Sequence, residues 1–85
     1  MARYQVLYWQ AVPSLVKAFA DDDTELKRQL PDFFQQEIDR RAMAEGLTGT
    51  DAYLEQWHWS EVAERPGSAS DVLDAVVREL EAEHA

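Results

Sequence analysis

A chain of 85 residues holds one hydrophobic core with a modest stability margin, so residues 1–85 read as a single domain. Hydrophobic residues at 46% and aromatics at 11% supply enough apolar surface to exclude a disordered chain, and the lack of cysteine excludes disulfides, thiolate metal sites and cysteine nucleophiles. The net charge of −9 is uneven, with six basic and seven acidic side chains in residues 1–43 against two and ten in residues 44–85, which disfavours nucleic acid and anionic membrane as partners and favours a basic protein.

Residues 3–10 are β-branched and aromatic, with Tyr4, Val6 and Tyr8 on one face and Leu7 and Trp9 on the other. A strand apolar on both faces predicts a central place in a sheet. Pro13 interrupts it, and residues 15–19 offer a second, shorter strand, making a hairpin. The carboxylates of Asp21, Asp22, Asp23 and Glu25 resemble the start of a calcium loop. The sixth position, where the sharp turn requires glycine, is however Leu26, and Pro31 breaks the far end. This segment reads as a solvated loop leading into a short helical turn over 25–29.

Pro31 suits a first helical position, and Asp32 complements the positive end of the dipole. Leu30, Phe34, Ile38 and Ala42 recur every four residues, predicting a helix over 31–45 that ends at Gly46. Thr50 is placed to cap a brief turn over 51–54. Residues 56–63 alternate as a third strand, with Trp57, Trp59 and Glu61 on one face and Gln56, His58, Ser60 and Val62 on the other. After Arg65-Pro66-Gly67, Ser68 and Asp71 have capping-box spacing, and Val72, Leu73, Val76 and Leu80 draw the stripe of a last helix that frays over 81–85. The expected fold is α+β, a two-layer sandwich in β-β-α-β-α order with a three-stranded sheet packed on two helices. Its expected core includes Val6, Leu15, Phe34, Ile38, Val62, Val76 and Leu80.

No constellation amounts to a catalytic, cofactor or metal signature, and the protein is expected not to be an enzyme. His58 is a possible general base with Glu61 or Asp51 as neighbour, but a strand sets His58 and Glu61 on opposite faces. A metal held by His58 and His84 requires the tail to fold back. The pairs Lys27-Arg28 and Arg40-Arg41 are better matched to the acidic tail of the same chain than to an anion. Ser60 and Ser68 lack a nucleophile-elbow context, and Gly46, Gly49 and Gly67 are isolated turn glycines.

The tryptophans carry more weight. With Tyr53, the residues Trp9, Trp57 and Trp59 form more aromatic surface than one helical layer readily covers, and tryptophan is enriched at interface hot spots. They either complete a small core or form a binding surface for a protein partner or a second copy. In the latter reading Glu79, on the acidic last helix, steers the encounter.

The opening Arg3-Tyr4-Gln5-Val6 through Trp9, Val12-Pro13-Ser14 with Val16-Lys17, and Lys27-Arg28-Gln29-Leu30-Pro31 are similar to segments of the small bacterial domain family labelled "virulence factor". So are Gly46-Leu47-Thr48-Gly49-Thr50-Asp51-Ala52-Tyr53-Leu54, Trp57 with Trp59, and Arg65-Pro66-Gly67-Ser68. The resemblance covers almost the whole chain and brings no catalytic residues with it. It implies an accessory subunit, and its small stand-alone members imply a neighbourhood of folate- and corrinoid-linked methyl transfer. The expected function is a non-enzymatic, cytoplasmic protein-interaction module without cofactors. An acidic nucleic-acid mimic and a small enzyme using His58 are the rivals.

Overall fold

The computed structural model describes residues 1–84, with side chains through Glu83. Its first hairpin joins β1 (Ala2–Trp9) to β2 (Val12–Phe19) through Gln10 and Ala11, and Gln10 takes a left-handed φ of 53°. Val6 pairs with Val16 and Tyr4 with Ala18, whereas Tyr8 faces Pro13. The register therefore shifts between Leu7 and Tyr8, and Ser14 is the extra residue of a bulge. That bulge is why proline sits inside a strand rather than ending it, as the sequence reading expects. The freed Ser14 carbonyl accepts from the Leu30 amide at 3.0 Å.

A turn at residues 20–24 leads to β3 (Glu25–Gln29), which pairs antiparallel with β2 along its whole length. Asp23 adopts a φ of 67°, and the Asp22 carboxylate accepts from the Thr24 amide at 3.0 Å; hydrogen bonding from the Thr24 side chain and then from its amide holds the Asp22 pKa below the usual carboxylate range. The expected helical turn over 25–29 is thus a strand. All five of its residues are exposed on the sheet edge.

Helix α1 (Asp32–Ala44) follows, and Phe34, Ile38 and Ala42 lie buried along its predicted stripe with Leu30 just before it. Gly46 closes it with a φ of 69°. The short helix α2 (Asp51–Glu55) is capped by Thr50, whose hydroxyl accepts from the Tyr53 amide at 3.3 Å. Two short strands then pair with β1 on the side away from β2: β4 (Trp57–Trp59) against Leu7, Tyr8 and Trp9, and β5 (Ala63–Arg65) against Ala2, Arg3 and Tyr4. Last comes α3 (Ala69–His84), started by the Ser68 hydroxyl accepting from the Asp71 amide at 3.1 Å.

The class α+β holds, but among the described residues there are five antiparallel strands where three are expected and three helices where two are expected. The order is β-β-β-α-α-β-β-α. Two causes account for the strands: β3 is a polar edge, and the predicted strand over 56–63 is two pieces separated by residues 60–62. Helix α3 continues through the expected frayed segment to His84; the His84 side chain and Ala85 lie outside the described residues, and with them the two-histidine metal reading.

Alternation divides β1 and β2 into two faces. Ala2, Val6, Val16 and Ala18 are buried on the inner one, where α3 packs across β1, β2 and β3 through Val72, Leu73, Val76 and Leu80. Arg28 of β3 reaches the same helix and pairs with Asp74, the intrachain partner foreseen for it in the acidic tail. Five of the seven expected core residues are buried. Leu15 is half-buried on the outer face and Val62 is 54% exposed in the interrupted edge.

Candidate interaction surface

The break in the edge strand is held by one side chain. The Ser60 amide donates to the Val6 carbonyl at 2.8 Å, while the Val6 amide donates to the Ser60 hydroxyl at 2.9 Å. The Ser60 hydroxyl thus replaces the backbone acceptor that continuous pairing would have offered to Val6, and Gln5 closes the arrangement by donating its side-chain amide to the Ser60 carbonyl at 3.0 Å. Glu61 and Val62 are left exposed, and β4 ends at Trp59.

On the outer face the strands align Arg3 with Phe19, Gln5 with Lys17, and Leu7 with both Leu15 and Trp59. None of these side chains is buried, and Trp59 is 40% exposed. The Lys17 ammonium lies 4.2 Å from the centre of a Trp59 ring and 5.3 Å from that of Phe19, and the Arg3 guanidinium carbon lies 5.7 Å above Phe19. Two cations and two aromatic rings therefore share a patch with two leucines, and each cation–π contact at such an exposed site stabilises by about 0.5–1 kcal/mol. The surface is only partly exposed and mixes apolar, aromatic and cationic groups.

Of the four residues expected at the interface, Trp9 and Trp57 are cross-strand partners with Trp59 on the same sheet face, but they differ in burial, and Glu79 lies apart from them. Trp59 alone holds its place on the open surface. Trp9 is 0% exposed: its indole Nε1 donates to the Tyr53 carbonyl at 2.9 Å, and the Tyr53 ring covers it at 5.5 Å. Trp57 is half-buried edge-on against the same tyrosine at 6.3 Å. The helix that supplies this lid is α2, which the sequence reading treats as a brief turn. Glu79 lies on α3 across the sheet from Trp59 and forms an ion pair with Arg65 at 2.7 Å, so its carboxylate is engaged within the chain. That hydrogen bond lowers the Glu79 pKa and raises that of Arg65.

The candidate catalytic residue is equally tied to structure. His58 is exposed, stacks on Tyr8 with ring centres 5.8 Å apart, and has Nδ1 3.3 Å from the Gln56 carbonyl. It lines none of the molecule's described clefts. The basic pair Arg40-Arg41 is taken up by Glu37 one turn away rather than by the acidic tail expected for it, and the Glu37 pKa is lowered by the hydrogen bonds from Arg40 and then Arg41. Phe19, Leu7 and Leu15 are the surface residues that sequence reasoning missed. The cue available was the clustering of Lys17 and Arg3 with outward-facing apolar residues, which becomes a patch only once the strand register is known.

These features define an α+β domain with one sheet face packed on a helix and the other partly open. A family model described as "Virulence factor" matches residues 7–85, and the chain belongs to that family. No curated protein and no solved structure matches it. Among the described residues no helix is long and apolar enough to cross a membrane.

Proposed function

We propose that the protein is a non-enzymatic protein-interaction module, an accessory subunit of a bacterial cytoplasmic complex, and that it docks through the open sheet face. The observation that carries this reading is the apolar patch of exposed Trp59 with half-buried Phe19, Leu7 and Leu15, rimmed by Lys17 and Arg3. Tryptophan beside a cation is the composition that concentrates binding energy at interfaces. The net charge of −9 supports a basic partner drawn in at long range, while the patch itself supplies the close contact. The cysteine-free composition fits a reduced compartment.

The test uses Trp59→Ala and Phe19→Ala, each checked for an unchanged melting curve. Sedimentation of the purified chain reads self-association, and capture on immobilised chain reads a second protein. Trp59→Ala is expected to weaken whichever association is found by about 2 kcal/mol, as for an interface hot spot. Association that survives both substitutions at full strength removes the open face as the docking surface.

A further inference from the structure

The two sides of the sheet differ in charge. On the inner side, a groove of about 490 Å³ between α3 and the edge where β4 gives way to β5 is lined by three carboxylates, Glu61, Glu79 and Glu83. On the outer side, the strand register sets Arg3, Lys17 and Lys27 against Glu25 and Glu64, a small positive excess in a chain whose net charge is −9. Arg3 pairs with Asp23 at 2.7 Å and Lys27 with Glu25 at 3.4 Å. Although the chain has 17 acidic side chains against 8 basic ones, Lys17 forms no ion pair among the described residues. Its cross-strand neighbours are Gln5 and Lys27, and its ammonium lies 4.2 Å from the centre of a Trp59 ring and 5.3 Å from that of Phe19.

That placement constrains what can cover the patch. Lys17 is already half-buried, and its ammonium sits beside the same rings that form the apolar surface. A partner seated on Trp59, Phe19, Leu7 and Leu15 therefore also takes this ammonium out of water. A desolvated cation without a counter-charge opposes binding more strongly than two cation–π contacts offset. Asp23 and Glu25 are engaged by Arg3 and Lys27, and Glu64 faces Arg3 across the β1–β5 pairing, so the counter-charge falls to the partner. We propose that the open face takes a segment of a protein partner in which an aspartate or glutamate stands among apolar residues, the carboxylate pairing with Lys17 while the apolar side chains cover Trp59, Leu7 and Leu15. This inference rests on the reading of that face as the docking surface and adds the chemistry it selects. A nucleic-acid backbone, which repeats its charge at every step, is repelled by the net −9, whereas a basic protein bearing one such acidic segment is still drawn in at long range.

The test is an NMR titration of the full chain with three capped pentapeptides, each of three leucines and two variable residues filled by glutamate, glutamine or lysine. The glutamate peptide is expected to give saturable shifts at Trp59, Leu7 and Leu15 and to bind about tenfold or more tightly than the glutamine peptide. Added sodium chloride should weaken the glutamate peptide and spare the glutamine one, a readout that needs no variant. Lys17→Met, which keeps a long apolar stem, is expected to erase the difference between the two peptides, and Trp59→Ala to weaken both alike. Equal affinities for glutamate and glutamine, with both weakened by Trp59→Ala, overturn the carboxylate and leave the docking face standing. Binding that Trp59→Ala does not touch removes the docking face itself, and this inference with it. Tightest binding of the lysine peptide, or no saturable shift with glutamate, also overturns it. Sedimentation covers the remaining occupant: self-association that Lys17→Met abolishes would assign the acid to a second copy of this chain and overturn the separate partner.

Discussion

Replacing Trp9 by phenylalanine separates the tryptophan that builds the fold from the one that faces outward. The indole is fully buried, and phenylalanine keeps one ring in place while removing the second ring's outer atoms and the Nε1 donor. Losing the equivalent of two buried methylene-sized groups costs about 1.6 kcal/mol in transfer free energy. The lost hydrogen bond costs a further ~0.5–1.5 kcal/mol. The lower end applies, because the Tyr53 carbonyl also accepts from the Gln56 amide at 3.3 Å and is not left without a donor. The sum is about 2 kcal/mol, a sizeable fraction of a small domain's total. Urea unfolding followed by far-UV circular dichroism is the assay, since tryptophan emission itself changes with the substitution. A loss below about 0.5 kcal/mol would show that the indole is not enclosed and that the three tryptophans share one open surface after all.

Ile38→Ala is expected to lower stability by about 2–5 kcal/mol in the same assay, because the side chain is completely enclosed at the centre of the α1 stripe. Ser60→Ala is expected to cost about 1–3 kcal/mol by leaving the Val6 amide without an acceptor, with hydrogen exchange at Val6 accelerating more than at Val16. Arg65→Met tests the ion pair by its pH dependence. The folded-state pKa of Glu79 is lowered, so the pair's stabilisation is present above the ordinary glutamate range and is lost as pH falls through the folded value. The stability gap between the parent and Arg65→Met should therefore be widest near neutral pH and close in acid; a gap that is constant with pH would assign the effect to packing of the arginine stem.

Periodicity made the helices legible. In α1 and α3 the apolar positions repeat within every turn, and Leu30, Phe34, Ile38, Ala42, Val72, Leu73, Val76 and Leu80 are all buried as that repeat predicts. The edge strands carry no such signal. In Glu25-Leu26-Lys27-Arg28-Gln29 only one residue is apolar, and its strand character comes from pairing with β2, which no local pattern reports. Polar, cationic residues are also what keeps such an edge from pairing with other chains. The place of Trp9 was hidden for a related reason. Alternation fixes which residues share its face, but the cover over that face comes from Tyr53, 44 residues away along the chain.

The central strand explains how one small sheet serves two surfaces. Because β1 has neighbours on both sides, its backbone is consumed by pairing and only its side chains are available, outward at Leu7 and inward at Tyr4 and Tyr8. The interruption beside it sets the limits of both sets. Had residues 56–65 formed one continuous strand, Glu61 would have been a ladder residue on the sheet edge and Trp59 an interior one. The extra residues instead place Trp59 at the end of β4, on the open face, and release Glu61 to the mouth of the groove against α3. Ser60 carries that interruption, since its amide and hydroxyl both bond to Val6 on the paired strand. Through these two bonds Ser60 sets where β4 stops and β5 begins, between the aromatic patch on one side of the sheet and the acidic groove on the other.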